Sequence, residues 1–246
     1  MSYTQHIIFS LLIFTIAGCA LNSADTQRIL QTASVVMGES QSGLSREEVV
    51  AGLKQALSKG ADLAIQQLGQ PGGFNNDKQY RIPLPAPLPE WRERLAVLGL
   101  SNELNKLELT MNRAAEQAVA DAVPIFVDSI TQMTINDALG ILRGSPTAAT
   151  DYFQRTAGAK LQTRFRSVVL NATADTGAAE HYDNVVTVFN RVRQLQGAPA
   201  LPSLDEYVAN KAGQALFSKI ALEEKRIRAE PAARTTALLK RVFAPQ

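Results

Sequence analysis

The sequence predicts an all-α domain of about seven or eight helices crossed by an extended, proline-rich strap. Three observations predict it. Helix-start signatures recur at Ser45-Arg46-Glu47-Glu48, Thr134-Ile135-Asn136-Asp137 and Ser203-Leu204-Asp205-Glu206, each a hydroxyl followed three residues later by an acid that can reach back to the chain. Apolar residues between these points return at helical spacing. Alternating strand patterns are nearly absent.

The elements follow in order. Ser45 caps a helix closed at Gly69, with Val49, Leu53, Leu57, Ala61, Ala64 and Leu68 on one face. Pro71-Gly72-Gly73 then starts a different segment. In Tyr80-Arg81-Ile82-Pro83-Leu84-Pro85-Ala86-Pro87 the prolines force an extended path that cannot join a regular ladder, so it is expected to lie across helices as a strap. A short helix from Pro89 to Leu98 ends at Gly99. A long one runs from about Asn102 to Gln132, with a kink expected at Asp121 to Val123 because Pro124 removes a backbone bond. Thr134 opens a helix stopped at Gly144. Ser145-Pro146 reads as an N-cap with proline at the first helical position, leading an amphipathic segment toward Thr173 with Phe153, Leu161, Phe165, Val168, Val169 and Ala172. Ser203 opens a helix to about Arg228, and Pro231 starts a last one through Leu238, Leu239 and Val242.

Ahead of this domain stands the only cysteine. Cys19 closes an apolar run, Ile7 to Thr15, through Ile16-Ala17-Gly18, and the whole resembles a bacterial lipoprotein signal. The run is short for a membrane span, and small residues precede the cysteine, where a peptidase needs a narrow substrate. Met1 to Ser10 hold His6 but no lysine or arginine, so an ordinary cleaved signal and an uncleaved anchor remain as alternatives. On the lipoprotein reading residues 1–18 are removed, Cys19 carries lipid, 19–43 form a polar tether and 44–246 form the helical domain. Two or three acyl chains anchor stably, at about 0.8 kcal/mol per buried methylene. A flexible tether of that length spans roughly 25 to 30 Å. Ala20 and Leu21 bring no acid after the cysteine, which by resemblance to Gram-negative lipoproteins implies the outer membrane, with the domain facing the periplasm.

Net charge is +2, with 25 basic and 23 acidic residues interspersed, which gives no electrostatic footprint for nucleic acid. One cysteine allows no internal disulfide, so packing must supply stability. The two histidines are His6, inside the signal, and His181. Neither a histidine metal cluster nor a Ser-His-Asp triad is expected, and no phosphate-binding glycine loop is present. No metal or cofactor is expected. Asn171 to Asp175 alternates like a calcium loop but lacks its glycine and closing glutamate. Trp91, Tyr152, Phe153, Tyr207 and Phe217 are expected in the core, with sugar platforms as the alternative.

Polar residues crowd in two places. On the long helix, Leu104, Leu107, Met111, Ala114, Ala115, Ala118 and Ala122 make an apolar arc, and Glu108, Asn112 and Glu116 form a row beside it at i, i+4, i+8. Such a row either hydrogen-bonds neighbouring helix ends or holds a ligand or ion, because buried carboxylates need partners. Carbonyls freed at the kink, beside Asp121 and Asp128, offer a weaker cation site. The second place is the start of the last helix, where Arg234 and Thr235 sit near free N–H groups. A cation there opposes the helix dipole, so Arg234 is expected to meet an internal carboxylate, Glu108, Glu116 or Glu224, with an external anion as the alternative.

With these stretches laid out, the chain resembles a family of bacterial envelope proteins, often lipoproteins, known only as a domain of unknown function. The resemblance rests on Gly52 to Leu57, Arg81 to Pro85, Asn112 to Ala118, Gln132 to Ala138, Thr147 to Thr150 and Pro231 to Leu239. Gln214 stands where an acid would be expected, and Ser167 where a proline would. The resemblance implies the limits of the domain and no activity, substrate or cofactor. The expected function is therefore a non-enzymatic, periplasm-facing lipoprotein that binds an envelope protein or small ligand. Its rivals are an envelope enzyme using Glu108 or Glu116 as acid or base, and a carrier whose small residues, Ala114, Ala115, Ala118, Ala120 and Ala122, leave room for an acyl chain.

Overall fold

The computed structural model describes residues 45–175, 178–193 and 200–230. The chain divides between Gly43 and Leu44, and everything described belongs to the second unit. Cys19, the tether, Arg234, Thr235 and the helix expected from Pro231 lie outside the described residues.

The described residues are helical, without strands: α1 (Arg46–Gly69), α2 (Leu88–Val97), α3 (Ser101–Ala120), α4 (Val123–Thr131), α5 (Ile135–Arg143), α6 (Ala148–Asp175), α7 (Ala178–Arg193) and α8 (Leu204–Ala229). The domain is all-α. Helix α3 lies at the centre, packed on α1, α6, α7 and α8, while α6 and α8 lie against each other. The predicted arc of α3, from Leu104 to Ala122, is completely or almost completely buried. So are Leu53, Ala61, Ala64 and Leu68 of α1, and Phe153, Leu161, Phe165 and Val169 of α6. Trp91 packs edge-on to Phe189 with ring centres 5.1 Å apart, and Phe126 meets Phe153 at 4.9 Å and Phe217 at 6.4 Å. Tyr207 and Phe217, expected in the core, are only partly buried at its edge.

The helix ends explain the boundaries. Ser45 and Glu48 form the reciprocal capping box, as do Thr134 and Asp137. The third box does not form: Ser203 makes no cap bond, because its hydroxyl turns to the carboxylate of Asp205, which pairs with Arg166 at 2.9 Å. Gly99, at φ +81°, ends α2; its N–H donates to Ala96 and that of Leu100 to Leu95, a left-handed closure that a side chain would strain. The long helix breaks at Asp121 and Ala122, where the kink was expected, and Pro124 falls within the first two positions of α4, where its missing N–H has no partner to lose. One start differs from the sequence reading. Proline does not open α6: residues 145–147 form a turn, with Ala148 N–H donating to Ser145, and the helix begins at Ala148. Helix α7, unmarked by any start signal in the sequence, follows at Ala178.

The Thr134 hydroxyl and main-chain N–H both bond Asp137, and these bonds hold its carboxyl below the ordinary carboxylate range. A depressed folded-state pKa contributes stability that is complete above the ordinary value and disappears as pH falls through the folded value. Thr134→Ala should therefore cost about 1 kcal/mol at neutral pH and return the Asp137 pKa toward the ordinary range. Denaturant unfolding and a carboxyl NMR titration check this, and an unmoved pKa would contradict the assignment.

Candidate functional site

The polar row of α3 is the first candidate, and it grips the strap. Asn112, completely buried, accepts from the Ile82 N–H at 2.8 Å and donates to the Ile82 carbonyl at 2.9 Å, with a further bond to its own helix at Glu108 O. Its amide thus closes on an extended residue as a neighbouring strand would. One turn on, Glu116 Oε1 accepts from the N–H groups of Phe74 and Asn75, at 3.1 and 3.3 Å. One turn back, Glu108 pairs with Arg92 at 2.8 Å and Arg81 at 3.3 Å. The sequence reading sent this row to neighbouring helix ends. Asn112 and Glu116 bind the main chain of the strap and of the turn before it instead, because proline-rich backbone cannot pair with itself and buried N–H groups require acceptors. With its side chains alternating, the strap buries Tyr80, Ile82 and Leu84 inward.

Glu224, also singled out by the sequence, holds the turn between α5 and α6. Its two oxygens accept from Ala149 N–H and Thr150 N–H, each at 3.0 Å, and from the Thr150 hydroxyl at 2.9 Å. This carboxylate, from another helix, caps α6 in place of the expected Ser145. Arg228, one turn along α8, bonds Glu224 at 2.9 and 3.0 Å and donates to the Ile141 and Leu142 carbonyls at the end of α5. The anion meets a helix N-terminus and the cation a helix C-terminus, so both dipoles favour the pair. All three carboxylates proposed as partners of Arg234 thus have partners among the described residues. Of the suggested cation ligands, Asp121 pairs with Arg164 at 2.7 Å. Among the described residues no group of three or more His, Cys, Asp or Glu is placed to hold a metal ion.

At Ala120, one of the small residues on α3, the room is taken up by the close approach of α1. A methyl group added at Gly69 of α1 would stand 3.2 Å from the Ala120 main chain. An apolar cavity between α1, α6 and α8, bordered by Leu57, Phe153 and Ile220, has a volume of about 20 Å³, the scale of a single water and not of an acyl chain.

What remains open is a polar groove that the sequence reading did not identify. Its larger part, about 490 Å³, runs between α6 and α8. Gln154, Gly158 and Gln162 line the α6 side at four-residue spacing; Asn210, Gln214 and Ser218 line the α8 side at the same spacing. Leu161 and Phe217 form the apolar floor, and Thr150 and Asp151 close one end beside the Glu224 cap. A second part, about 340 Å³, continues over Gln214 and Ser218 to the strap at Gln79, Tyr80 and Arg81 and to Lys211. Two facing i, i+4, i+8 rows, Gln-Gly-Gln on α6 and Asn-Gln-Ser on α8, were the available signal. They are hard to distinguish in sequence from an ordinary solvated helix face.

The Tyr80 hydroxyl, at the strap edge of this groove, is buried and has no well-formed hydrogen-bond partner. Burial raises its pKa; the nearby Ser218 hydroxyl opposes the rise, and the charges of Asp77 and Glu223 add to it.

Helices on helices around α3, with a strap held by side chains, define an all-α domain in which Asn112, Glu116 and Glu224 are committed to main chain. The chain belongs to the family described as protein of unknown function (DUF4197), whose model matches residues 43–244. No curated protein and no solved structure matches the chain.

Two stability predictions follow from these attachments. Asn112→Leu leaves the Ile82 N–H and carbonyl unpaired and should cost about 2 to 4 kcal/mol, with loss of amide-exchange protection at Ile82; retained protection would show that the strap is held by other means. Arg228→Ala leaves the Glu224 charge, 7% exposed, without its cation, and should cost about 3 to 5 kcal/mol by thermal unfolding. The double variant Glu224→Gln, Arg228→Met should recover part of that loss.

Proposed function

We propose that this chain is a periplasm-facing lipoprotein, anchored in the outer membrane through lipid on Cys19, whose helical domain binds another envelope component in the groove between α6, α8 and the strap. The anchor is supported by the apolar run that ends in Ile16-Ala17-Gly18-Cys19, with no acid at Ala20 or Leu21. Among the described residues no single helix is long and apolar enough to cross a membrane.

The observation that carries the binding reading is the contrast between two sets of polar groups. Those of Asn112, Glu116 and Glu224 are spent on main chain, and those of Glu108 on Arg81 and Arg92. Those of the groove face an opening of about 490 Å³ joined to one of about 340 Å³, each within the range of about 300 to 1,000 Å³ in which small-molecule sites fall. The enzyme reading is weaker. Glu108 and Glu116 border neither part of the groove; both oxygens of Glu108 are engaged by Arg81 and Arg92, and Oε1 of Glu116 by Phe74 and Asn75.

Replacing Cys19 by Ser should abolish incorporation of labelled palmitate and move the domain from the membrane to the soluble fraction. A wild-type chain that takes up no label, or a variant that stays with the membrane, would overturn the anchor.

A further inference from the structure

We infer that the α6–α8 groove is a binding site for a neutral oligosaccharide chain, seated across the amides of Gln154, Gln162 and Gln214 with a sugar face on Phe217. This deepens the binding reading above and rests on it.

The donor set selects the ligand. An amide side chain offers two N–H donors and a carbonyl acceptor in one plane, so it can pair with adjacent ring hydroxyls, each of which both donates and accepts. Four such amides, Gln154, Gln162, Asn210 and Gln214, stand on the two walls. Between them the wall is low. A methyl group added at Gly158 or at Gly213 would meet no atom within 4 Å, so both positions open onto free space at the level where a flat ring would lie. Phe217 lines the same stretch, braced from below by Phe126, and offers an apolar face to the C–H side of a sugar.

Other ligand classes fit poorly. A phosphate or nucleotide needs converging cations. The cations lining the groove are Lys211 and Arg81, both at the strap end, and Arg81 is already paired with Glu108. A docking helix needs a row of apolar pockets, and an added strand needs a sheet edge. The apolar side chains of the larger part are Leu161, Phe217 and Ala221, with Leu161 almost completely buried, and no strand occurs among the described residues.

Tyr80 gives a second, independent indication. Its hydroxyl is buried with no well-formed hydrogen bond, the Ser218 hydroxyl being the group beside it, and buried polar groups are rarely left so. Tyr80 lines the second part of the opening, and Ser218 beside it is shared by both parts. A serine hydroxyl can accept one hydrogen bond while donating another. A sugar hydroxyl at the Gln214–Ser218 wall would draw the Ser218 proton outward and turn its lone pair to Tyr80, completing both groups together.

The test uses the full chain in detergent, with chitotetraose and maltotetraose as probes, read by saturation-transfer NMR and titration calorimetry. At least one probe should bind. Gly213→Leu, which places a side chain in the open groove and removes a helical glycine, should abolish binding while leaving thermal stability equal or higher. The exposed change Gln214→Leu should weaken binding about tenfold, and Tyr80→Phe less. Failure of both probes at millimolar concentration, or binding unchanged in Gly213→Leu, would overturn the inference. If Cys19 is lipidated and neither probe binds, the anchor stands and the oligosaccharide site falls. If a probe binds and Cys19 takes up no lipid, the reverse holds.

Discussion

A main-chain N–H or C=O that leaves a helix inside a packed domain loses water and must be given a partner, since each one left bare costs about 1 to 3 kcal/mol. In this domain the need is concentrated where the chain cannot supply backbone partners itself: the proline-rich stretch after α1 and the tight turn from α5 to α6. Side chains on two long helices meet it. Asn112 and Glu116 of α3 take the first, Glu224 and Arg228 of α8 the second. The central helices therefore fix the path of the irregular segments as well as the core. The mutual position of α3 and α8, which pack directly on each other, sets the distance between strap and turn.

Much of this was legible in the residues, for a physical reason. Local signals act over one turn of chain, so the capping boxes at Ser45 and Thr134, the stop at Gly99 and the break before Pro124 were readable from a few neighbouring residues. The apolar arc of α3 was equally readable, because burial follows the helical period. What failed depended on groups far apart in sequence. Ser145 was a reasonable cap for α6 until Glu224, 75 positions from Ala149, took the place. Ser203 lost its cap to Asp205, itself drawn by Arg166 from another helix. The row Glu108, Asn112, Glu116 stands out in the sequence, but its partners are the extended strap, the turn before it and two arginines, whose positions no period describes.

The groove escaped notice because its two walls are each ordinary. A helix face bearing Gln154 and Gln162, or Asn210 and Gln214, reads as solvent-facing, and on one helix alone it would be. Packing α6 against α8 turns two such faces toward each other, and glycine at 158 and 213 leaves the space between them unfilled at the middle. The resulting surface differs from the interior polar groups in charge as well as in commitment. Inside, carboxylates face guanidinium groups and main-chain dipoles; along the groove most polar side chains are neutral, with charges confined to its ends at Asp151, Arg81 and Lys211.

The manner in which the strap is fastened also separates two kinds of sequence freedom. Asn112, Glu116 and Tyr207 address main-chain atoms of Ile82, Phe74, Asn75 and Pro83, atoms that nearly every residue type supplies. The inward side chains at Tyr80, Ile82 and Leu84 are held by packing, whereas Gln79 points outward along the groove rim and carries little of the fold. An exposed strap position of that kind can thus be rewritten while the course of the chain stays anchored, so part of the surface can change without renegotiating how the protein folds.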